Sequence, residues 1–67
     1  MNLRQIEMSY TNDVNSFVRT GDMTDELYEQ LFDYYFTQGE MPYGVAKARD
    51  GDPMSWICDK FEEYLDA

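Results

Sequence analysis

The sequence contains no histidine, one cysteine and five basic residues, against fourteen acidic ones. Without histidine, the chain lacks the side chain best suited to general acid–base catalysis at neutral pH. Because Cys58 is alone, it forms no internal disulfide and leaves zinc without a second soft ligand. The Asp-Gly-Asp turn at residues 50–52 starts like a calcium loop, but Met54 and Phe61 occupy positions that require oxygen ligands. We therefore expect no catalytic residues, no metal site and no cofactor.

Long hydrophobic runs are also missing. No stretch approaches the roughly 20 consecutive apolar residues of a membrane-spanning helix. The first ten residues lack the basic start and apolar run of a signal peptide. A net charge of −9 disfavours anionic lipid surfaces and direct binding to nucleic acid. These features predict a cytoplasmic protein that binds neither membranes nor nucleic acid directly.

Apolar residues recur at spacings of three and four, whereas no long segment alternates with a period of two. This pattern predicts helices. The first covers residues 2–19 and ends before Gly21, and the scarcity of helix formers among residues 9–13 favours a break there. Its apolar stripe consists of Leu3, Ile6, Tyr10, Val14, Phe17 and Val18.

Further start and stop signals define the other helices. Thr24 is a good N-cap for a second helix, and Gly39 stands where left-handed C-caps occur. A short helix is predicted over residues 43–49. Asp52 as N-cap and Pro53 at the first helical position begin the last helix.

Aromatic residues supply the apolar surface that a chain of 67 residues needs for a core. Six tyrosines, four phenylalanines and one tryptophan each bury ~150–250 Å² when packed inside. Acidic composition with few aromatics would indicate disorder, and this composition indicates the opposite. We predict a single all-α domain over residues 1–67, a small three-helix bundle with one additional short helical turn.

The acidic residues of the second and last predicted helices fall on the faces opposite the apolar residues. Neighbours three and four apart lie ~5–6 Å apart between Cβ atoms, and like charges at that spacing repel. To a partner with a basic groove, rows of this kind resemble the phosphate backbone of a nucleic acid. The alternative is that the acidity serves solubility alone. The predicted partner-binding residues are Asp25, Glu26, Glu29 and Asp33 in one row, and Asp59, Glu62, Glu63 and Asp66 in the other.

Aromatic residues at the margins of the apolar faces suggest a second kind of contact. Tyr34 and Phe36 lie at the margins of the apolar face of the second helix. With Tyr43 and Trp56, they give the chain more aromatic surface than a three-helix core needs. We consider these four residues as anchors for a partner or a second copy of the chain. The alternative is that residues 42–49 fold over them.

In size, acidity, helical pattern and aromatic richness, the whole chain resembles the small acidic proteins that bacteriophages make against host enzymes. Residues 39–53 (GEMPYGVAKARDGDP) are similar in style to phage early proteins. The class includes DNA-mimic inhibitors of restriction, of uracil-DNA glycosylase and of CRISPR effectors. The resemblance implies a non-catalytic inhibitor in the host bacterial cytoplasm that docks onto a basic nucleic-acid-binding protein. The alternative function is a small helical interaction or assembly module, such as a homodimeric regulator, joined through an exposed aromatic patch.

Overall fold

A computed structural model of the chain describes residues 2–47 and 52–66. Within these ranges the chain forms helices and no strand, so the all-α prediction is confirmed. The predicted three helices with one short turn are five helices in the structure. They are α1 (Leu3–Ser9), α2 (Thr11–Thr20), α3 (Asp25–Thr37), α4 (Tyr43–Lys47) and α5 (Asp52–Asp66).

The first predicted helix is divided at Tyr10, within the segment where a break was expected. Tyr10 leaves the helical conformation, with φ −119° and ψ 40°. Its N–H donates to the Ile6 carbonyl at 2.9 Å, and its own carbonyl accepts from the Val14 N–H at 2.9 Å. The Thr11 hydroxyl donates to the Met8 carbonyl at 2.9 Å. The hydroxyl thereby gives a donor to a carbonyl at the end of α1.

The start signals of the later helices have different outcomes. The Thr24 side chain accepts a hydrogen bond from the Leu27 N–H at 3.2 Å, which confirms it as the N-cap of α3. The last helix begins at Asp52, one residue before the predicted first helical position at Pro53, which is buried. The predicted cap through the Asp52 side chain, and residues 48–51 of the preceding turn, lie outside the described residues.

Gly39 ends α3 in the left-handed conformation that the sequence predicts, with φ +75°. The Gly39 N–H donates to the Phe36 carbonyl and the Glu40 N–H to the Tyr35 carbonyl, each at 3.1 Å. This pair of bonds is the Schellman motif, which satisfies carbonyls at a helix end. It returns the chain towards the core, where Met41 is buried.

Gly39→Ala is expected to lower the free energy of unfolding by about 1–2 kcal/mol, because a Cβ disfavours the left-handed conformation. No heavy atom lies within 4 Å of the Cβ position at Gly39, so backbone strain alone causes the loss. Urea denaturation followed by circular dichroism measures it. Gly44→Ala is the matched control, since Gly44 is also unobstructed but lies within α4 at an ordinary φ. It is expected to stabilise by about 0.5–1 kcal/mol. A loss of equal size at both glycines would contradict this explanation.

The core lies where α3 packs against α1 and α5, while α4 packs against α5. The Phe17 and Phe61 rings, with centroids 5.9 Å apart, join α2 to α5. None of the helices in the described ranges is long and apolar enough to cross a membrane. The buried apolar side chains are Ile6, Val14, Phe17, Leu27, Leu31, Tyr35, Met41, Ile57 and Phe61.

Val18 is a correction to the predicted apolar stripe, because 66% of its surface is exposed. After the break at Tyr10, α2 is a short helix whose buried residues are Val14 and Phe17. Successive residues rotate by about 100°, so Val18 falls past the edge of the face that these two residues define. The predicted stripe was therefore too wide at its C-terminal end.

Candidate protein-binding surfaces

The acidic residues of α3 occupy its outward face. Leu27, Leu31 and Tyr35 are buried on the core side of this helix, and a rotation of about 100° per residue carries the acids to the opposite side. All four of these acids are exposed. We call Asp25, Glu26, Glu29 and Asp33 the α3 acidic row.

The last helix repeats this arrangement. Ile57 and Phe61 are buried on its core side, and the four acids that the sequence predicts as binding residues are exposed on the other. We call Asp59, Glu62, Glu63 and Asp66 the α5 acidic row. The two rows lie on different helices, α3 and α5.

The cationic side chains that the structure describes do little to neutralise these rows. Among the side chains of residues 2–45 and 53–66, the one ion pair joins Lys60 Nζ to Glu63 Oε2 at 3.9 Å, with side chains 41% and 72% exposed. Surface pairs of this kind contribute ~0–1 kcal/mol. Lys60 also lies 5.6 Å from the centroid of the Trp56 ring. The other seven carboxylates of the two rows make no ion pair within the described part of the chain.

A line of aromatic rings runs beside the α3 acidic row. Tyr28 and Phe32 meet edge to face with centroids 6.0 Å apart, and Phe32 stacks on Phe36 at 6.1 Å with 9° between the ring planes. Phe36 is 59% exposed. Together with Glu29 and Asp33 these rings line an open groove of about 320 Å³, which we call the aromatic groove.

A second groove borders the α5 acidic row. It measures about 330 Å³ and lies between α2 and α5, where Val18 and Leu65 supply apolar surface and Glu62 and Asp66 supply carboxylates. Each acidic row thus contributes two carboxylates to a concave surface that also has apolar walls. Such surfaces suit side chains that combine an apolar stem with a cationic tip.

The four predicted aromatic anchors do not share one environment. Tyr34 and Trp56 are half-buried and pack edge-on against Tyr35, at 5.2 and 5.4 Å between centroids. Phe36 lines the aromatic groove, and Tyr43 on α4 is 75% exposed. Two of the four therefore surround a core tyrosine, and two present most of their ring surface outward.

A polar cleft that the sequence pattern does not predict lies at the break between α1 and α2. It has a volume of about 580 Å³, and Arg4, Glu7 and Tyr64 are among its lining residues. The Tyr64 hydroxyl donates to Glu7 Oε1 at 2.9 Å. This hydrogen bond is the main cause of a raised Tyr64 pKa. It connects α1 to α5 across 57 positions of sequence, a separation that no local pattern reveals.

Cys58 is the one cysteine of the chain, and its thiol is half-buried on α5. Burial is the main cause of the raised pKa of Cys58, and the nearby Asp59 and Glu62 carboxylates raise it further. The thiol consequently stays protonated at neutral pH, and the protonated form is a poor nucleophile. No group of three or more cysteine, aspartate and glutamate side chains in residues 2–47 and 52–66 is arranged to hold a metal ion.

Comparison with protein families, curated protein sequences and solved structures found no match to this chain. Its function is therefore argued from the charge, shape and exposed chemistry of its own surfaces. Of these, the acidic rows with their adjoining grooves are the most distinctive.

Proposed function

We propose that this chain is a non-catalytic binding protein that docks its two acidic rows onto a basic, nucleic-acid-handling protein and blocks it. The partner belongs to the bacterial cytoplasm in which a phage-encoded inhibitor would act, such as a restriction or CRISPR enzyme. The supporting observation is the exposure of all eight carboxylates, of which only Glu63 is paired with a described cation.

The arrangement of the carboxylates favours a binding role over solubility alone. Asp25–Glu29, Glu29–Asp33, Asp59–Glu63 and Glu62–Asp66 are like-charge pairs four residues apart, and each destabilises its helix by tenths of a kcal/mol. Solubility does not require this clustering, because interspersed charges of both signs also keep a surface soluble. A cationic partner would relieve the repulsion in both rows on binding.

Docking of this kind has a defined physical signature. Successive carboxylates at i and i+4 rise by about 6 Å along a helix, so each row offers closely spaced anions to a groove built for nucleic acid. Charge complementarity speeds the diffusional encounter and also fixes register. The association rate is therefore expected to fall as the salt concentration rises.

The test reverses charge within one row. Glu29→Lys with Asp33→Lys is expected to weaken binding at least about tenfold, or about 1.4 kcal/mol, because two partner contacts become repulsive. Both side chains are exposed, so circular dichroism and urea denaturation are expected to show little change in folding. The measurement captures the partner from bacterial lysate at low and high salt. Inhibition of the captured nucleic-acid enzyme by the wild type is then compared with its inhibition by the double variant.

Asp22→Lys with Glu40→Lys is the matched control. Both residues are exposed and lie outside the two rows, and the pair changes the net charge by the same amount. The control is expected to retain most of the binding. Equal weakening by both double variants, or undiminished binding by the first, would contradict docking through the α3 acidic row.

A second function draws support from the two most exposed aromatic anchors. Phe36 and Tyr43, 59% and 75% exposed, would suit a helical assembly module or dimeric regulator in which the acids only maintain solubility. Light scattering separates the two proposals. A tight homodimer that persists at high salt would favour the assembly module over the acidic inhibitor.

A further inference from the structure

We infer that the aromatic groove of α3 recognises arginine side chains carried four residues apart on a basic helix of the partner. This inference rests on the proposed function, since it takes the partner to be basic. It adds the side chain that is recognised, the spacing of those side chains and the place on this protein where they bind.

Two parallel ridges on α3 build the groove. The first is an aromatic ridge of Tyr28, Phe32 and Phe36, spaced four residues apart. The second is an acidic ridge of Glu29 and Asp33, which come one residue after the first two aromatic residues. Rows at i and i+4 are the ridges with which helices commonly interdigitate. A side chain placed between these two ridges meets aromatic rings on one wall and carboxylates on the other.

Arginine can interact with both the aromatic wall and the acidic wall at the same time. Its planar guanidinium stacks on an aromatic face, and its rigid fork of N–H donors pairs with a carboxylate. Lysine offers a compact, strongly hydrated charge that pairs with carboxylates but does not stack in the same way. An apolar side chain would fill the groove and desolvate Glu29 and Asp33 without giving them a hydrogen-bond donor.

The ring spacing indicates how the arginines are carried. The Phe32 and Phe36 centroids are 6.1 Å apart with nearly parallel planes. Two residues four apart on a helix rise by about 6 Å, so two such arginines match the repeat of the groove. Stacking on Phe32 also leaves Phe36 59% exposed, which keeps ring surface available to an incoming guanidinium.

Charge disfavours two other occupants. A second copy docked through this groove about a two-fold axis would bring its Glu29 and Asp33 close to those of the first copy. Like charges placed opposite each other across an interface oppose association. Nucleic acid meets the same obstacle, because its phosphates carry the sign of the two carboxylates. A cationic segment is the occupant that this charge complements.

The test uses two synthetic helical peptides that differ only in whether two cationic positions, four residues apart, hold arginine or lysine. Calorimetric titration into the full chain is expected to show about tenfold tighter binding of the arginine peptide, equivalent to about 1.4 kcal/mol. Phe36→Leu keeps apolar volume but removes the aromatic face, and it is expected to abolish most of the preference. Phe36→Tyr is expected to retain it. A third peptide with its arginines two residues apart is expected to bind little more tightly than the lysine peptide.

Several outcomes would overturn the inference. Equal affinity for the arginine and lysine peptides, a full preference in Phe36→Leu, or binding of neither peptide at low salt would each do so. An equal affinity that falls with salt and with Glu29→Gln and Asp33→Asn would leave the proposed function standing. Failure of the proposed function is measured separately, by the lysate capture and enzyme inhibition described above. Circular dichroism confirms folding of each variant before titration.

Discussion

Phe61→Ala is expected to leave most of the chain unfolded at 25 °C. The Phe61 side chain is fully buried, with the Phe17 and Tyr64 ring centroids 5.9 and 5.8 Å away. Truncating a buried phenylalanine to alanine costs about 3–5 kcal/mol. A single hydrophobic core in a chain below ~70–80 residues rarely supplies more than ~3–5 kcal/mol in total. Far-UV circular dichroism without denaturant measures the loss directly.

Phe36→Ala removes the same atoms from a ring that is 59% exposed, and is expected to cost less than about 1 kcal/mol. Phe61→Leu retains most of the apolar volume and is expected to give a measurable transition between the wild type and Phe61→Ala. A Phe61→Ala variant that unfolds cooperatively, with a free energy of unfolding within about 1 kcal/mol of the wild type, would contradict this prediction. The core described for α2, α3 and α5 would then not carry the stability assigned to it.

The helix ends that sequence predicted correctly depend on local chemistry. Thr24 caps the next turn of its own helix, and Gly39 adopts a conformation that other residues avoid. The capping box at Asn2 and Gln5 is a local signal of the same kind, although it was not used in the prediction. Sequence is informative here because each motif lies within four or five residues.

Packing between distant segments explains the errors. Val18 has the spacing of a stripe residue within α2, yet it is 66% exposed at the rim of the groove between α2 and α5. Met41 lies in the connection between α3 and α4, and it is buried because the Schellman turn after α3 directs it inward. Both outcomes depend on where the helices meet, which periodicity alone does not specify.

Of the candidate surfaces, those on a single helix could be predicted from local spacing, and the one between two helices could not. Periodicity placed the acidic rows opposite the apolar faces, and every residue of both rows is exposed. Tyr28 and Phe32 belong to the second predicted helix and stand next to its acidic row in sequence. The structure half-buries them and aligns them with Phe36. Their spacing of four residues was a signal for the aromatic ridge. By contrast, the groove between α2 and α5 forms only when distant residues pack together.

Alkaline pH is expected to destabilise the fold through Tyr35. Burial is the main cause that raises the pKa of Tyr35 from its usual 10.0 to about 12, and Glu40 adds to the effect. A raised pKa means that the folded state holds the phenolic proton more tightly than the unfolded state. The associated stability is therefore complete below pH 10 and is lost as the pH rises towards 12. Because the core of so small a chain supplies little stability in total, this loss is expected to be measurable as a fall in the urea midpoint.

Tyr35→Phe separates this titration from the general repulsion of an anionic chain. The substitution keeps the ring and its edge contacts with Tyr34 and Trp56, and it removes the hydroxyl that ionises. Urea midpoints measured from pH 8 to 12 are expected to fall less steeply in Tyr35→Phe than in the wild type. Tyr28 and Tyr64 also have raised pKa values and account for part of the remaining decline. An unchanged decline in Tyr35→Phe would remove Tyr35 as its cause.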